Sequence, residues 1–214
     1  MSRTPRLAVI PAALTCLALL VAVVAAQQKP AAANQQKPPA AKMSKQEQAM
    51  MDAMMKAAAP GENHKLLAAF SGNWTFVNRM WTDPSAKPTE SAGSASFRML
   101  LGGRYLQGEH WGTMMGMPFE GMSLNGYDNT ARRFQLAWID NMGTTTMYMA
   151  GTYDPAAKAY TYAAEMDDVT KPGTRVKVRE VIRWTTPDQY VMEWYENRAG
   201  KETKTMEITY ARKK

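Results

Sequence analysis

Hydrophobic and polar residues alternate with a period of two along most of the chain from Trp74 onward. Between residues 133 and 140, one face holds Phe134, Leu136, Trp138 and Asp140, and the other holds Arg133, Gln135 and Ala137. The alternation is clearest in four segments, 133–140, 176–184, 190–196 and 205–210. This pattern is typical of β-strands that bury one face.

Turn-forming residues interrupt the alternation at short intervals, as at Gly102-Gly103, Asp128-Asn129 and Pro172-Gly173. They divide the segment into about ten strands with no helix-length segment between them. Short turns between consecutive strands predict an up-and-down antiparallel sheet. Because an open sheet of this size would expose two edges, we expect an all-β fold, a single closed barrel over residues 61–214. A two-sheet sandwich is the alternative.

One or two short helices are predicted before the barrel. Ser44 and Glu47 have the spacing of a capping box, and Pro60-Gly61 ends the helical pattern, which gives a methionine-rich helix over 43–60. Four of its methionines share one face: Met50, Met51, Met54 and Met55. That face could bind Cu(I) or a partner. We favour the simpler interpretation, in which it packs on the barrel.

The N-terminus has the order of a signal peptide. Arg3 and Arg6 precede an apolar run that ends at Val24-Ala25-Ala26, so we expect cleavage after Ala26 and an exported protein, periplasmic or secreted. An uncleaved membrane anchor is the alternative.

Residues 27–42, rich in Pro, Ala and Gln, predict a disordered linker. The single cysteine, Cys16, lies in the leader, so the mature chain would contain none.

Charge and motifs restrict the possible functions. The formal net charge is +7, from 26 basic and 19 acidic residues spread along the chain, and no basic stripe indicates a nucleic-acid partner. A membrane contact is expected through an uncleaved leader or not at all. We find no nucleophile elbow, phosphate-binding loop or dinucleotide fingerprint. With two histidines, His64 and His110, we predict no metal site, no cofactor and no catalytic residue.

Gly72-Asn73-Trp74 resembles the G-x-W motif of lipocalins and other calycins. That resemblance implies that Trp74 plugs one end of the barrel and that Arg212, from the last strand, stacks on it. A wider set of segments resembles the domain-of-unknown-function family 1579 over about residues 60–212: 64–66, 72–74, 100–105, 116–121, 126–129, 138–142 and 151–154. This family resemblance implies a calycin-like barrel and no particular activity.

Aromatic and polar residues within the predicted strands are candidates for the lumen. We expect eight of them to contact a ligand: Arg104, Glu109, His110, Trp111, Trp138, Met147, Glu180 and Trp194. The leading hypothesis is a binding module for a small apolar or amphipathic molecule. One alternative is an enzyme that uses Arg104 or a pair among four carboxylates, Glu109, Asp140, Glu165 and Glu180. The other is a periplasmic copper or stress protein that acts through its methionines.

Overall fold

The computed structural model describes residues 43–214. The predicted signal peptide and linker therefore lie outside the described residues. Two helices, α1 (Lys45–Ala58) and α2 (Glu62–Ala68), precede ten strands. The strands are β1 (Gly72–Met80), β2 (Thr89–Leu100), β3 (Tyr105–Met114), β4 (Met117–Asp128), β5 (Arg133–Asp140), β6 (Met147–Asp154), β7 (Ala159–Asp167), β8 (Arg175–Thr186), β9 (Gln189–Arg198) and β10 (Lys201–Arg212). Among these elements, no helix has the length and apolar character needed to cross a bilayer.

Each strand pairs antiparallel with the next, and β10 pairs with β1, which closes the sheet into a barrel. The closed up-and-down barrel predicted from the alternation is confirmed, and the sandwich alternative is wrong. Closure gives every strand two hydrogen-bonded neighbours, so the barrel has no free edge. The side chains of one parity on each strand consequently face a common lumen.

Trp74 and Arg212 lie opposite each other where β1 meets β10. The Trp74 side chain is 0 % exposed, and its indole Nε1 donates a hydrogen bond to the carbonyl of Phe70, 2.8 Å away. The Arg212 guanidinium lies 4.2 Å from the centre of the indole ring. It also donates to the carbonyls of Ser71 and Ala69, at 2.7 and 2.9 Å. The pair therefore attaches the end of the α2 segment to the barrel and closes that end.

Several glycines of the strands provide room for aromatic rings inside the barrel. A Cβ atom on Gly108 would lie 2.5 Å from the ring of Phe97, and one on Gly121 would lie 2.5 Å from the ring of Trp138. Neither distance is compatible with a real contact between carbon atoms. These two glycines thus allow rings from neighbouring strands to lie flat across the inner face of the sheet.

Helix α1 contributes no buried residue. Its four methionines, Met50, Met51, Met54 and Met55, are 45–64 % exposed. The helix is held at its C-terminal end, where Arg104 Nε donates to the carbonyl of Ala58 and Asn129 Nδ2 to that of Ala57. Our favoured interpretation, in which the methionine face packs on the barrel, is therefore wrong.

We predict that Trp74→Ala lowers the free energy of unfolding by about 3–5 kcal/mol, the range for losing a large buried aromatic side chain. Trp111→Ala is the matched control, because Trp111 is 42 % exposed on the outer face, and its cost should stay below about 1 kcal/mol. Urea unfolding followed by far-UV circular dichroism measures both. A Trp74→Ala loss as small as that of the control would show that the plug does not stabilise the barrel.

Candidate functional site

The lumen contains a cavity of about 450 Å³. Leu67 and Phe70, from the α2 segment, lie among its lining residues, and so do Met142 and Val169 of the β5–β6 and β7–β8 loops. Met142 and Val169 are exposed, so the cavity opens to solvent beside these loops. Its volume falls in the range of about 300–1,000 Å³ that is usual for small-molecule sites.

Five of the eight predicted ligand contacts lie in the lining of this cavity: His110, Trp138, Met147, Glu180 and Trp194. They come from β3, β5, β6, β8 and β9, so each has the inward parity of its own strand. The barrel brings them together although up to 84 positions of sequence separate them.

Three predicted contacts, Arg104, Glu109 and Trp111, lie outside the lumen, so their assignment as lumen residues is wrong. Arg104 belongs to the turn before β3 and donates hydrogen bonds to the carbonyls of Ala58 and Leu101. Glu109 and Trp111 flank His110 on β3. Since neighbouring strand residues point to opposite faces, an inward His110 places both on the outer face.

Glu180 is the one carboxylate that lies deep in the lining of the described barrel. It is buried on β8, opposite Tyr162 of β7 and Trp194 of β9. Within residues 43–214 its carboxyl group accepts no hydrogen bond. Burial disfavours the charged form and raises the pKa of Glu180 from 4.5 to about 7.

His110 occupies the opposite part of the lining, on β3. Its Nδ1 lies 3.4 Å from the hydroxyl of Tyr210, and its Nε2 has no hydrogen-bond partner among the described residues. Burial lowers the pKa of His110 to about 4, so the ring is neutral at pH 7. Asn78 Oδ1 and the Tyr160 hydroxyl are also buried without a partner in the described part of the chain.

Several polar lining residues were missed by the sequence interpretation: Asn78, Ser123, Asn125, Tyr160 and Tyr162. Asn78 has the parity of Trp74 and Phe76 on β1, so the alternation itself could have identified it. Ser123 and Asn125 likewise share one face of β4, where the Asn125 amide donates to Ser123 Oγ at 3.1 Å.

Two of the four carboxylates named in the enzyme hypothesis, Asp140 and Glu180, line the cavity. Asp140 lies in the lining toward β5's C-terminal end and accepts a hydrogen bond of 2.7 Å from Trp138 Nε1. Glu165 lies on the outer face of β7, 3.5 Å from Arg175. Within residues 43–214, no hydrogen bond joins Glu180 to His110, and no three acidic or histidine side chains converge as metal ligands.

Comparison with known proteins gives a family and a fold. Residues 59–212 match the model of a family described as "Protein of unknown function (DUF1579)". No curated protein matches the chain. The crystal structure of Rv2717c from M. tuberculosis is similar, with 14% identity, a TM-score of 0.52, and coverage of 73% of this chain and 100% of that one.

The S-type phycobiliprotein lyase CPES from Guillardia theta is also similar in structure. It has 12% identity and a TM-score of 0.52, over 71% of this chain and 93% of that one. At these identities, both likenesses concern the fold alone.

We predict that Glu180→Gln stabilises the protein at high pH. The pKa of Glu180 is higher in the folded than in the unfolded chain, so the folded state holds the proton to higher pH and loses stability as pH rises from about 4.5 to 7. At pH 8 the ionised Glu180 lowers the free energy of unfolding of the natural protein by at most about 3 kcal/mol. Urea unfolding should show a gain of this order for Glu180→Gln at pH 8 and about 1 kcal/mol or less at pH 5.

The matched control is Glu165→Gln, which removes a carboxylate that is about half exposed. It should change stability by less than about 0.5 kcal/mol at both pH values. An equal effect of the two substitutions at pH 8 would contradict the burial of an ionisable Glu180.

Proposed function

The chain belongs to the DUF1579 family of proteins of unknown function, and for this member we propose a binding function: the barrel holds one small amphipathic molecule in its lumen. The observation that carries the proposal is the cavity of about 450 Å³. A barrel filled by its own side chains would have no such space.

The chemistry of the lining supports an amphipathic ligand. Large apolar side chains form most of the surface, for example Leu136, Ile182, Met192 and Ile208. Removing apolar ligand surface from water there is favourable by about 25 cal/mol per Å². Asn78, His110 and Glu180 are buried polar groups in the same lining, and unpaired polar groups are costly unless a partner binds them.

The binding proposal is tested by calorimetric titration with 1-octanol as a probe of apolar and amphipathic binding. Ile208→Trp places a larger side chain in the lumen, whereas Thr209→Trp, at the next position of β10, adds the same ring to the outer face. We expect saturable binding of 1-octanol to the natural protein and to Thr209→Trp. The affinity of Ile208→Trp should be lower by about tenfold or more, because the added ring occupies ligand volume.

Thermal unfolding of both tryptophan variants checks that the barrel is intact. The absence of saturable octanol binding to the natural protein, or an equal loss in both variants, would contradict a ligand-binding lumen. If 1-octanol binds as expected, native mass spectrometry of protein purified from its own host, followed by solvent extraction, would identify the natural ligand.

We further propose that the barrel acts after export. The basic, apolar and small-residue order of residues 1–26 supports this location. Expression of the full chain in its host should give a mature protein in the periplasm or medium whose N-terminal sequence begins at Gln27. Replacing Ala26 by a bulky residue should reduce that cleavage, whereas the same change at Ala33 in the linker should not. Full-length protein found in the cytoplasm would contradict export.

A further inference from the structure

The charges around the lumen are distributed unequally. No lysine or arginine lies in the cavity lining of the described barrel, although the whole chain has 26 basic and 19 acidic residues. The acidic lining residues are Glu180 in the interior and, at the ends of their strands, Asp140 and Asp167, the last of which lies 3.4 Å from Arg175 outside the lining. An anionic ligand would therefore enter a cavity that contains acidic groups and no basic side chain to bind it.

Aromatic residues flank Glu180 on both neighbouring strands. Tyr162 and Trp194 are its cross-strand partners on β7 and β9, and all three residues lie in the cavity lining. Tyr190 and Tyr210 line the same cavity; burial raises the pKa of both hydroxyls, and the negative charge of Glu180 adds to the rise. A carboxylate among aromatic rings is suited to a cation, because ring faces and the carboxylate both attract positive charge.

Neutral ligands fit this arrangement less well. An alkane would leave the Glu180 carboxyl buried and unpaired, which is unfavourable. A hydroxyl group could satisfy one hydrogen bond, but it offers no charge. An ammonium group supplies a charge-assisted hydrogen bond, which is stronger than a neutral one.

From this geometry we propose that the polar end of the ligand is an amine, which binds as an ammonium ion to Glu180 between the rings of Tyr162 and Trp194, while its apolar part fills the rest of the lumen. This inference rests on the proposed binding function and specifies the ligand class. It assigns Glu180 as the ligand's charge partner.

The proposal implies a defined pH dependence. An alkylamine stays protonated near neutral pH, as lysine does, whereas Glu180 must lose its proton to bind it. Tyr162, Tyr190 and Tyr210 also face Glu180, and burial raises their pKa values above 10. The other titratable groups of the lining are His110, which is neutral above about pH 4, Tyr160, and Asp140 and Asp167 at the ends of their strands. Amine affinity should therefore rise about tenfold from pH 6 to pH 8, as Glu180 ionises.

The test is calorimetric titration with octylamine, 1-octanol and octanoate, which share one alkyl chain and differ in the head group. At pH 8 we expect octylamine to bind the natural protein about 10- to 100-fold more tightly than 1-octanol, and octanoate to bind least. Glu180→Gln keeps the shape of the side chain without its charge. It should reduce octylamine affinity to about that of 1-octanol for the same variant and abolish the dependence on pH.

Glu165→Gln, on the outer face of β7, should retain the preference for octylamine. Saturable 1-octanol binding without a preference for octylamine would overturn the amine assignment and leave the proposed function standing. A preference that persists in Glu180→Gln would also overturn it. Failure of all three probes to bind the folded protein would overturn both.

Discussion

The structure depends on the joining of its first strand to its last. The pairing of β1 with β10 removes both edges of the sheet, and the Trp74–Arg212 contact lies at one end of that seam. Arg212 also binds the carbonyls of Ala69 and Ser71, so one guanidinium connects the last strand to the segment entering the first. Because its planar group offers several donors and can stack on a ring at the same time, lysine could not replace it there.

This closure determines where a ligand could lie. Phe70 fills the space beside Trp74. The centre of its ring lies 4.6 Å from that of Trp184 and 5.0 Å from that of Tyr190, so the plugged end is packed with aromatic rings. Ten strands nevertheless make a barrel wider than the eight that side chains can fill. Packing at one end and excess width along the rest leave a cavity that opens away from the plug. The lumen is thus a consequence of strand number combined with one sealed end.

Much of this arrangement could be predicted from sequence, because alternation determines which side chains share a face. The Trp74–Arg212 pair was implied by the calycin resemblance, and His110 and Glu180 were two of the eight lumen candidates, of which five line the cavity. Parity also rules out an inward Glu109 or Trp111 beside His110, a restriction that the prediction overlooked. By contrast, the exposure of Met50 and Met54 depends on how α1 is attached through Arg104 and Asn129. The cavity volume depends on rings that cross Gly108 and Gly121. No local sequence pattern predicts the methionine exposure or the cavity volume.

A buried Glu180 is unfavourable for the empty barrel, and the cost follows from general electrostatics. Glutamine or leucine would fill the position without a charge to desolvate. Proteins retain such groups most often where binding or catalysis uses them, since natural stability is only as high as function requires. In this barrel the cavity lining contains no basic side chain that could neutralise Glu180 within residues 43–214. A positively charged ligand would remove the electrostatic cost and fill the apolar volume in one step, which couples recognition of the ligand to stabilisation of the fold.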